Sequence, residues 1–329
     1  MELTNHDMVG IPIETFVPGL PINVDIYVSL SDDKFVLLFK GGTEAEGDRI
    51  KDLQARGLYL LHVRKEDYTK FLERQVAIAG IAIKHSGVMP NSKVNFLSSA
   101  MDLLDKEFST MGFSPASYEV SKSVAKAVIH LVGTEASLLK VLEKLNGTSG
   151  SAINHSMAVA LMSSMIGKAM GWTRPETLEK LALGGMLHDI GMQELPPSIV
   201  DKSRIEMSYD ELREYESHPF RGMQILQSID IVPADVVAIA YEHHENSIGQ
   251  GYPRRMWDMK LNPLARVVAL ANTFVDLSLS VELGHRKKSP QDCLNHIEKI
   301  LGQPFNKEAY RALKTLVSAS RRGTGSRAA

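Results

Sequence analysis

The sequence predicts a mostly α-helical protein, with an all-helical domain preceded by a small N-terminal α/β module and a helical connector. Three observations predict it. From about Val76 onward, apolar residues recur near every 3.6 positions, interrupted by short Gly/Pro breaks. Before that point, short β-rich runs alternate with turn residues. The 329 residues are 44% hydrophobic and 23% charged, with a mean hydropathy of -0.10. That composition supports packed cores and excludes wholesale disorder.

The elements follow in order. Asn23–Leu30 and Lys34–Lys40 read as strands of a hairpin joined across Ser31–Asp33. Asp48–Ala55 reads as a helix stopped by Gly57, Leu58–Val63 as a strand, and Asp67–Arg74 as a helix. Residues 1–78 form the expected N-terminal module, for which a regulatory or oligomerising role is the expectation. Phe96–Phe108, Ser117–Leu131 and Glu135–Leu145 carry helical spacing and make residues 79–145 the connector. Residues 146–318 form the large helical domain, and 319–329 a small, polar, basic tail expected to fray.

In the large domain the helices open on legible signals. Ala152–Met170 is one helix; Thr173 and Glu176 have capping-box spacing, with Pro175 in the first turn of the next. Ser208 and Glu211 form a second such box, leading toward His218-Pro219, where Pro219 puts His218 at a helix end. Pro233 and Pro263 open two more helices.

Charge and cysteine bound the function. The 37 basic and 39 acidic residues give a net charge of -2, which argues against general polyanion binding and hence against a nucleic-acid partner. Cys293 is the single cysteine, so no intramolecular disulfide forms, as suits a reducing compartment. The longest strongly apolar run, Val76–Ile83, is too short for a bilayer, which needs about 20 residues, and the N-terminus lacks a signal-peptide pattern. A soluble cytoplasmic protein without a membrane partner is the expectation.

The informative residues are histidines on apolar helix faces. His155 shares its face with Ala158, Val159 and Met162. The stripe Leu178, Leu181, Ala182, Gly185 continues into His188 and Asp189, and a charged Asp on a buried stripe needs compensation. His243 and His244 follow Ala240 at i+3 and i+4, and the stripe Ala265, Val268, Ala269 runs on to Asn272 and Asp276. A single His on an apolar face is ordinarily a satisfied core residue. Here His155, His188, Asp189, His218, His243 and His244 project inward from successive helices of one segment. Five imidazoles sharing a carboxylate exceed a four-ligand structural zinc site and suit a two-metal centre bridged by the Asp. Ligands without thiolate point to iron, with manganese as the second choice.

The blocks Met186-Leu187-His188-Asp189-Ile190-Gly191 and His243-His244-Glu245…Gly249-Gln250-Gly251-Tyr252-Pro253 carry a family resemblance. With His155 and His218-Pro219 they resemble, over about 148–300, the HD superfamily of metal-dependent phosphohydrolases. Within it they resemble the HD-GYP branch, the cyclic di-GMP phosphodiesterases, and the chain reads as a divergent member. The resemblance implies that His155, His188 and Asp189 hold one metal, that Asp189 bridges, and that His218, His243 and His244 complete the second site. It implies hydrolysis of cyclic di-GMP to the linear dinucleotide or GMP by a metal-bridging hydroxide, with Asp189 as the catalytic residue.

Departures accompany the match. Met192 stands where the family usually has Lys, and Ile248 where it has Asp. Asn272 occupies the last carboxylate position, so either Asn272 or Asp276, one turn on, is the further metal ligand. Ser151 replaces a third-metal carboxylate, so two metals are expected. Leu283-Gly284-His285 replaces an Arg-Pro-Tyr segment, with Arg286 close by. Tyr252, Arg254 and Arg286 are the substrate-binding candidates, although Gly249, Gly251 and Pro253 are also ordinary loop chemistry. Partners left open are a signalling protein at the Gly-Tyr-Pro loop and a second copy of the chain. Beside the phosphodiesterase stand two alternatives: a degenerate module that binds nucleotide or protein with little or no turnover, and a phosphohydrolase of another nucleotide.

Overall fold

The computed structural model describes residues 4–16, 19–31, 34–134, 151–279, 288–302 and 304–322. The N-terminal part is an antiparallel sheet of β1 (Met8–Pro12), β2 (Ile26–Ser31), β3 (Lys34–Phe39) and β4 (Leu60–Arg64), in the order β1-β4-β2-β3. Strand β1 lay outside the expectations, because Gly10 and Pro12 dilute its strand signal. As an edge strand it tolerates both, and its register on β4 pairs Gly10 with His62 and Pro12 with Leu60. Val9, Ile11, Ile26, Leu61 and Val63 are buried in one apolar core with Ile50 of α1 (Gly47–Ala55) and Phe71 and Leu72 of α2 (Tyr68–Lys84).

Helix α2 continues ten residues past the expected Arg74, and residue 78 falls inside it. Its apolar run Val76–Ile83 packs on α3 (Pro90–Met111) and α4 (Pro115–Thr134). The Tyr68 hydroxyl donates to the Leu103 carbonyl at 2.9 Å, tying α2 to α3. Helices α3 and α4 in turn pack on the large domain, so one apolar core runs from sheet to bundle. The expected helix Glu135–Leu145 lies outside the described residues, as does residue 286.

Helix α5 (Ser151–Ala169) is the axis of the bundle. Met157 to Met162 are wholly buried, as are Ser163, Ser164 and Ile166. A helix covered on every side needs neighbours all round. They are α3, α4, α6 (Pro175–Leu187), and two helices from the end of the chain, α11 (Pro263–Leu279) and α13 (Lys307–Arg322). Fully burying a Leu161 or Ile166 side chain contributes roughly 1.5–3 kcal/mol, so this axis anchors the bundle.

The remaining elements are α7 (Pro197–Val200), α8 (Tyr209–Tyr215), α9 (His218–Gln227), α10 (Ala234–Glu242) and α12 (Pro290–Lys299). Two local expectations change. Helix α6 takes Arg174 as its N-cap without a side-chain bond, so Thr173 and Glu176 make no capping box; Pro175 at N1 sets the first turn instead. The helix from Ser208 stops at Tyr215, and His218 opens a new helix with Pro219 behind it. The Ser208–Glu211 capping box is present in full. Among the described residues no helix is long and apolar enough to cross a membrane.

Candidate metal centre

Three histidines of the centre stand at or beside a helix end. His188 follows α6, His218 begins α9 and His243 follows α10, while His155 lies in the second turn of α5. Helix termini carry the ligands because a side chain there reaches beyond the ridge of its own helix into the space between helices.

The same local bond orients three of the rings. Nδ1 of His188 donates to the Gly185 carbonyl at 2.9 Å, Nδ1 of His218 to Tyr215 at 2.7 Å, and Nδ1 of His243 to Ala240 at 2.9 Å. A carbonyl only accepts, so the proton of each neutral ring sits on Nδ1 and the Nε2 lone pair faces away from it. Those lone pairs converge. Nε2 of His218 and Nε2 of His243 are 3.2 Å apart, as are Nε2 of His155 and Nε2 of His188.

Asp189 lies between the two pairs and divides its oxygens. Oδ1 is 3.2 Å from His218 Nε2 and 3.3 Å from His243 Nε2; Oδ2 is 3.0 Å from His188 Nε2 and 3.8 Å from His155 Nε2. Two donor sets result, His155–His188–Asp189 and Asp189–His218–His243–His244, each with ligand atoms within 4.8 Å of one another. His188, His218 and His243 are buried.

The electrostatics follow from this crowding. Burial alone pushes the Asp189 carboxyl up, but the surrounding imidazoles, His188 foremost, hold it well below the usual carboxylate range. Burial pushes His243 down to about 4, and lowers His244 strongly, with His243 and His218 adding to the effect. Burial also opposes the charge on His188, yet the neighbouring Asp189 carries it above the ordinary value. With Nε2 free of its proton, which His188 must give up for a cation to bind, these imidazoles beside an ionised carboxylate form a donor set for divalent cations. Opposed lone pairs without an intervening proton repel, and a cation between them removes that repulsion. The residues present therefore fit the metals that the resemblance implies.

The other expected residues fall in different places. Asp276 Oδ1 is 3.4 Å from His155 Nδ1, on the far side of the ring from the lone-pair cluster, where it backs His155. Asn272 is buried one turn earlier on α11, and its Oδ1 has no hydrogen-bond partner. Tyr252 stacks on His244 with ring centroids 4.4 Å apart at 21°, and its buried hydroxyl has no partner. Arg254 is drawn away from the centre: its guanidinium pairs with buried Glu242 and lies 4.6 Å over the Tyr241 ring.

Residues that periodicity did not single out hold the loop. Glu245 is buried and accepts from the backbone N–H groups of Arg254 at 2.6 Å and Met256 at 2.9 Å. Gly251 is required because a Cβ there would collide with the His244 carbonyl; a Cβ on Gly191 would likewise run into the His218 carbonyl. Arg204 lies 5.4 Å over Tyr215 and 5.6 Å over Tyr252, beside the His218–His244 half. An Arg that opens a single 3-10 turn, Arg204–Glu206, carries no periodic signal, so the sequence offered no mark of it.

Comparison with known proteins agrees with this geometry. A family model described as an HD domain matches residues 140–307. A cyclic di-GMP phosphodiesterase of Pseudomonas aeruginosa is 33% identical over 121 residues, 36% of this chain and 28% of that protein. A cyclic di-GMP phosphodiesterase of Thermotoga maritima is 28% identical over 184 residues, 54% of this chain and 49% of that protein. The chain thus spans less than half the length of these two relatives. Among solved structures, an HDG"Y"P protein from Bdellovibrio bacteriovorus superposes with a TM-score of 0.68 at 21% identity, covering 95% of this chain and 100% of that one. At that identity the likeness establishes the fold.

Proposed function

Because the chain belongs to the HD-domain family, in its HD-GYP branch, we propose that it is a metal-dependent phosphodiesterase acting on cyclic di-GMP, opening the ring to the linear dinucleotide or on to GMP. The observation that carries this reading is the pair of opposed imidazole lone-pair sets on the two oxygens of Asp189. His155, His188 and Asp189 would hold one cation, and Asp189, His218, His243 and His244 the second. Iron is our first choice and manganese our second, on the imidazole–carboxylate donor set. Bound there, such cations lower the pKa of water and neutralise phosphate oxygens.

The chain's own side chains do the positioning. Asp189 is the shared acceptor between the two sets. The carbonyls of Gly185, Tyr215 and Ala240 hold three rings against rotation. The Tyr252 hydroxyl, without a partner and next to His244, is free to donate to a phosphate oxygen. Asn272 Oδ1 is an uncommitted acceptor on the α11 side.

A second reading, a nucleotide-binding module with little or no turnover, is favoured by Met192. It joins an apolar wall beside Asp189 where the family usually presents a Lys. Losing a proton donor to the leaving oxygen typically costs about 10²–10⁴ in rate. One experiment separates the readings. The purified chain, loaded with iron or manganese under reducing conditions, is analysed for metal content and for linear product from cyclic di-GMP by chromatography. Two metals per chain with product formation supports the phosphodiesterase. Metal and binding without product supports the module, and a chain that takes up neither metal overturns both.

A further inference from the structure

A cavity of about 280 Å3 opens directly beside Asp189. It lies between α3 of the connector, the start of α5, the end of α6 and the segment 190–200. Its size sits at the small end of ligand pockets, roughly 300–1,000 Å3, too small for a whole cyclic dinucleotide and suited to one ring system. Its walls carry no Lys or Arg, so it is a poor place for phosphate. They offer instead the ring of Phe108 and the thioethers of Met101, Met186 and Met192. Sulfur and aromatic edges contact flat π-systems favourably and adapt to their outline.

One acid stands in this wall away from the metal-ligating set. Asp105, on the exposed side of α3, lines the cavity, and its partial burial against the cavity wall pushes its carboxyl up. Among the described residues no cation pairs with it, and the charge beside it is the like-signed Asp102, so its carboxylate oxygens stay open to a donor in the space beside Asp189. A carboxylate matches two adjacent N–H donors in a bidentate pair. Guanine offers such a pair, N1–H beside N2–H, on its Watson–Crick edge; adenine offers an acceptor beside a donor there.

We propose that this cavity is a guanine pocket, in which Asp105 reads N1–H and N2–H of one base while the adjoining phosphodiester faces Asp189. The inference deepens the phosphodiesterase reading and rests on it for the placement of the phosphate. It makes α3, which lies outside the family match at 140–307, the source of base specificity. It also gives Met192 a task, since a base wall is better served there by a thioether than by an ammonium.

The test is calorimetric binding of GMP, AMP and inorganic phosphate to the metal-loaded full chain and to two variants, Asp105→Asn and Ile153→Trp. Ile153 lines the same cavity, and a Trp there fills it. The wild type is expected to prefer GMP over AMP by about 10-fold or more, the scale of an unmatched hydrogen-bonding edge. Asp105→Asn is expected to erase that preference by weakening GMP alone. Ile153→Trp is expected to weaken both nucleotides and to leave inorganic phosphate unchanged. Equal affinity for GMP and AMP in the wild type, no nucleotide binding, or a preference that survives Asp105→Asn overturns the proposal. Turnover of cyclic di-GMP, measured alongside, separates the two readings. A guanine preference lost in Asp105→Asn with no turnover keeps the pocket and sinks the phosphodiesterase. Turnover with no base preference does the reverse.

Discussion

His188, His218 and His243 are sealed in the interior, each pinned through Nδ1 by the carbonyl three residues before it. His155 is partly exposed and is backed at 3.4 Å by a half-exposed carboxylate, Asp276, from another helix. The three inner rings have their orientation written into their own helix ends, while the outer ring depends on α5 and α11 keeping their spacing. The centre therefore has a stiff half, around His218 and His243, and an adjustable half, around His155.

The largest expected effect removes the comparison altogether. Asp189→Ala takes an oxygen from each half, and loss of metal should exceed the roughly 10–100-fold typical of partners that merely support a ligand; elemental analysis after dialysis checks it. If one half keeps its metal, Asp189 does not bridge. Next comes acid. Buried His243 has its pKa lowered to about 4, below the ordinary imidazole value. Between the two values the unfolded chain binds more protons than the folded one. Metal-free stability is thus intact at neutral pH and lost as pH falls from about 6.5 toward 4, by on the order of 3 kcal/mol from this ring. Urea melts in chelator at pH 7 and pH 5 should show the drop; equal midpoints would remove the stiff half's distinguishing feature.

Met192→Lys should raise turnover of cyclic di-GMP about 100-fold, the low end of a regained proton donor, as read by initial rates. Unchanged rates would mean that the apolar wall, not the missing Lys, sets the pace. Asp276→Ala should weaken one of two metal-binding steps by about 10–100-fold and spare the other, resolved by metal titration. Equal weakening of both steps breaks the division into halves. Smallest of all, Arg254→Ala leaves Glu242 without its cation yet still accepting from the Asn262 N–H at 2.7 Å. A loss of about 1–2 kcal/mol in thermal unfolding is expected, with metal content unaltered.

Much of this was legible before any coordinates. The 3.6-residue spacing marked α3, α4, α5, α6, α10 and α11, since burying one stripe of a helix demands that pattern. Strand β1 was not legible, because an edge strand ending in Pro12 needs little propensity once β4 is there to pair with it. The supposed box at Thr173 and Glu176 was a local pattern outcompeted by Pro175, whose fixed φ starts the helix one residue later. The inward faces of His155, His188 and His243 followed from helical phase, and those residues do meet. That Asp276 backs His155, or that Arg254 turns to Glu242, depends on the separation of helices distant in sequence.

By itself, then, the amino-acid order determined which residues share a helix face and that imidazoles alternate with apolar positions, because periodicity and backbone geometry are local. Tertiary packing alone decided that five imidazoles gather around the carboxylate of Asp189, that Tyr252 lies flat on His244, and that Asp105 reaches the same chamber from outside the bundle. Contacts between remote segments arise from the mutual burial of faces, and no window along the chain contains both partners.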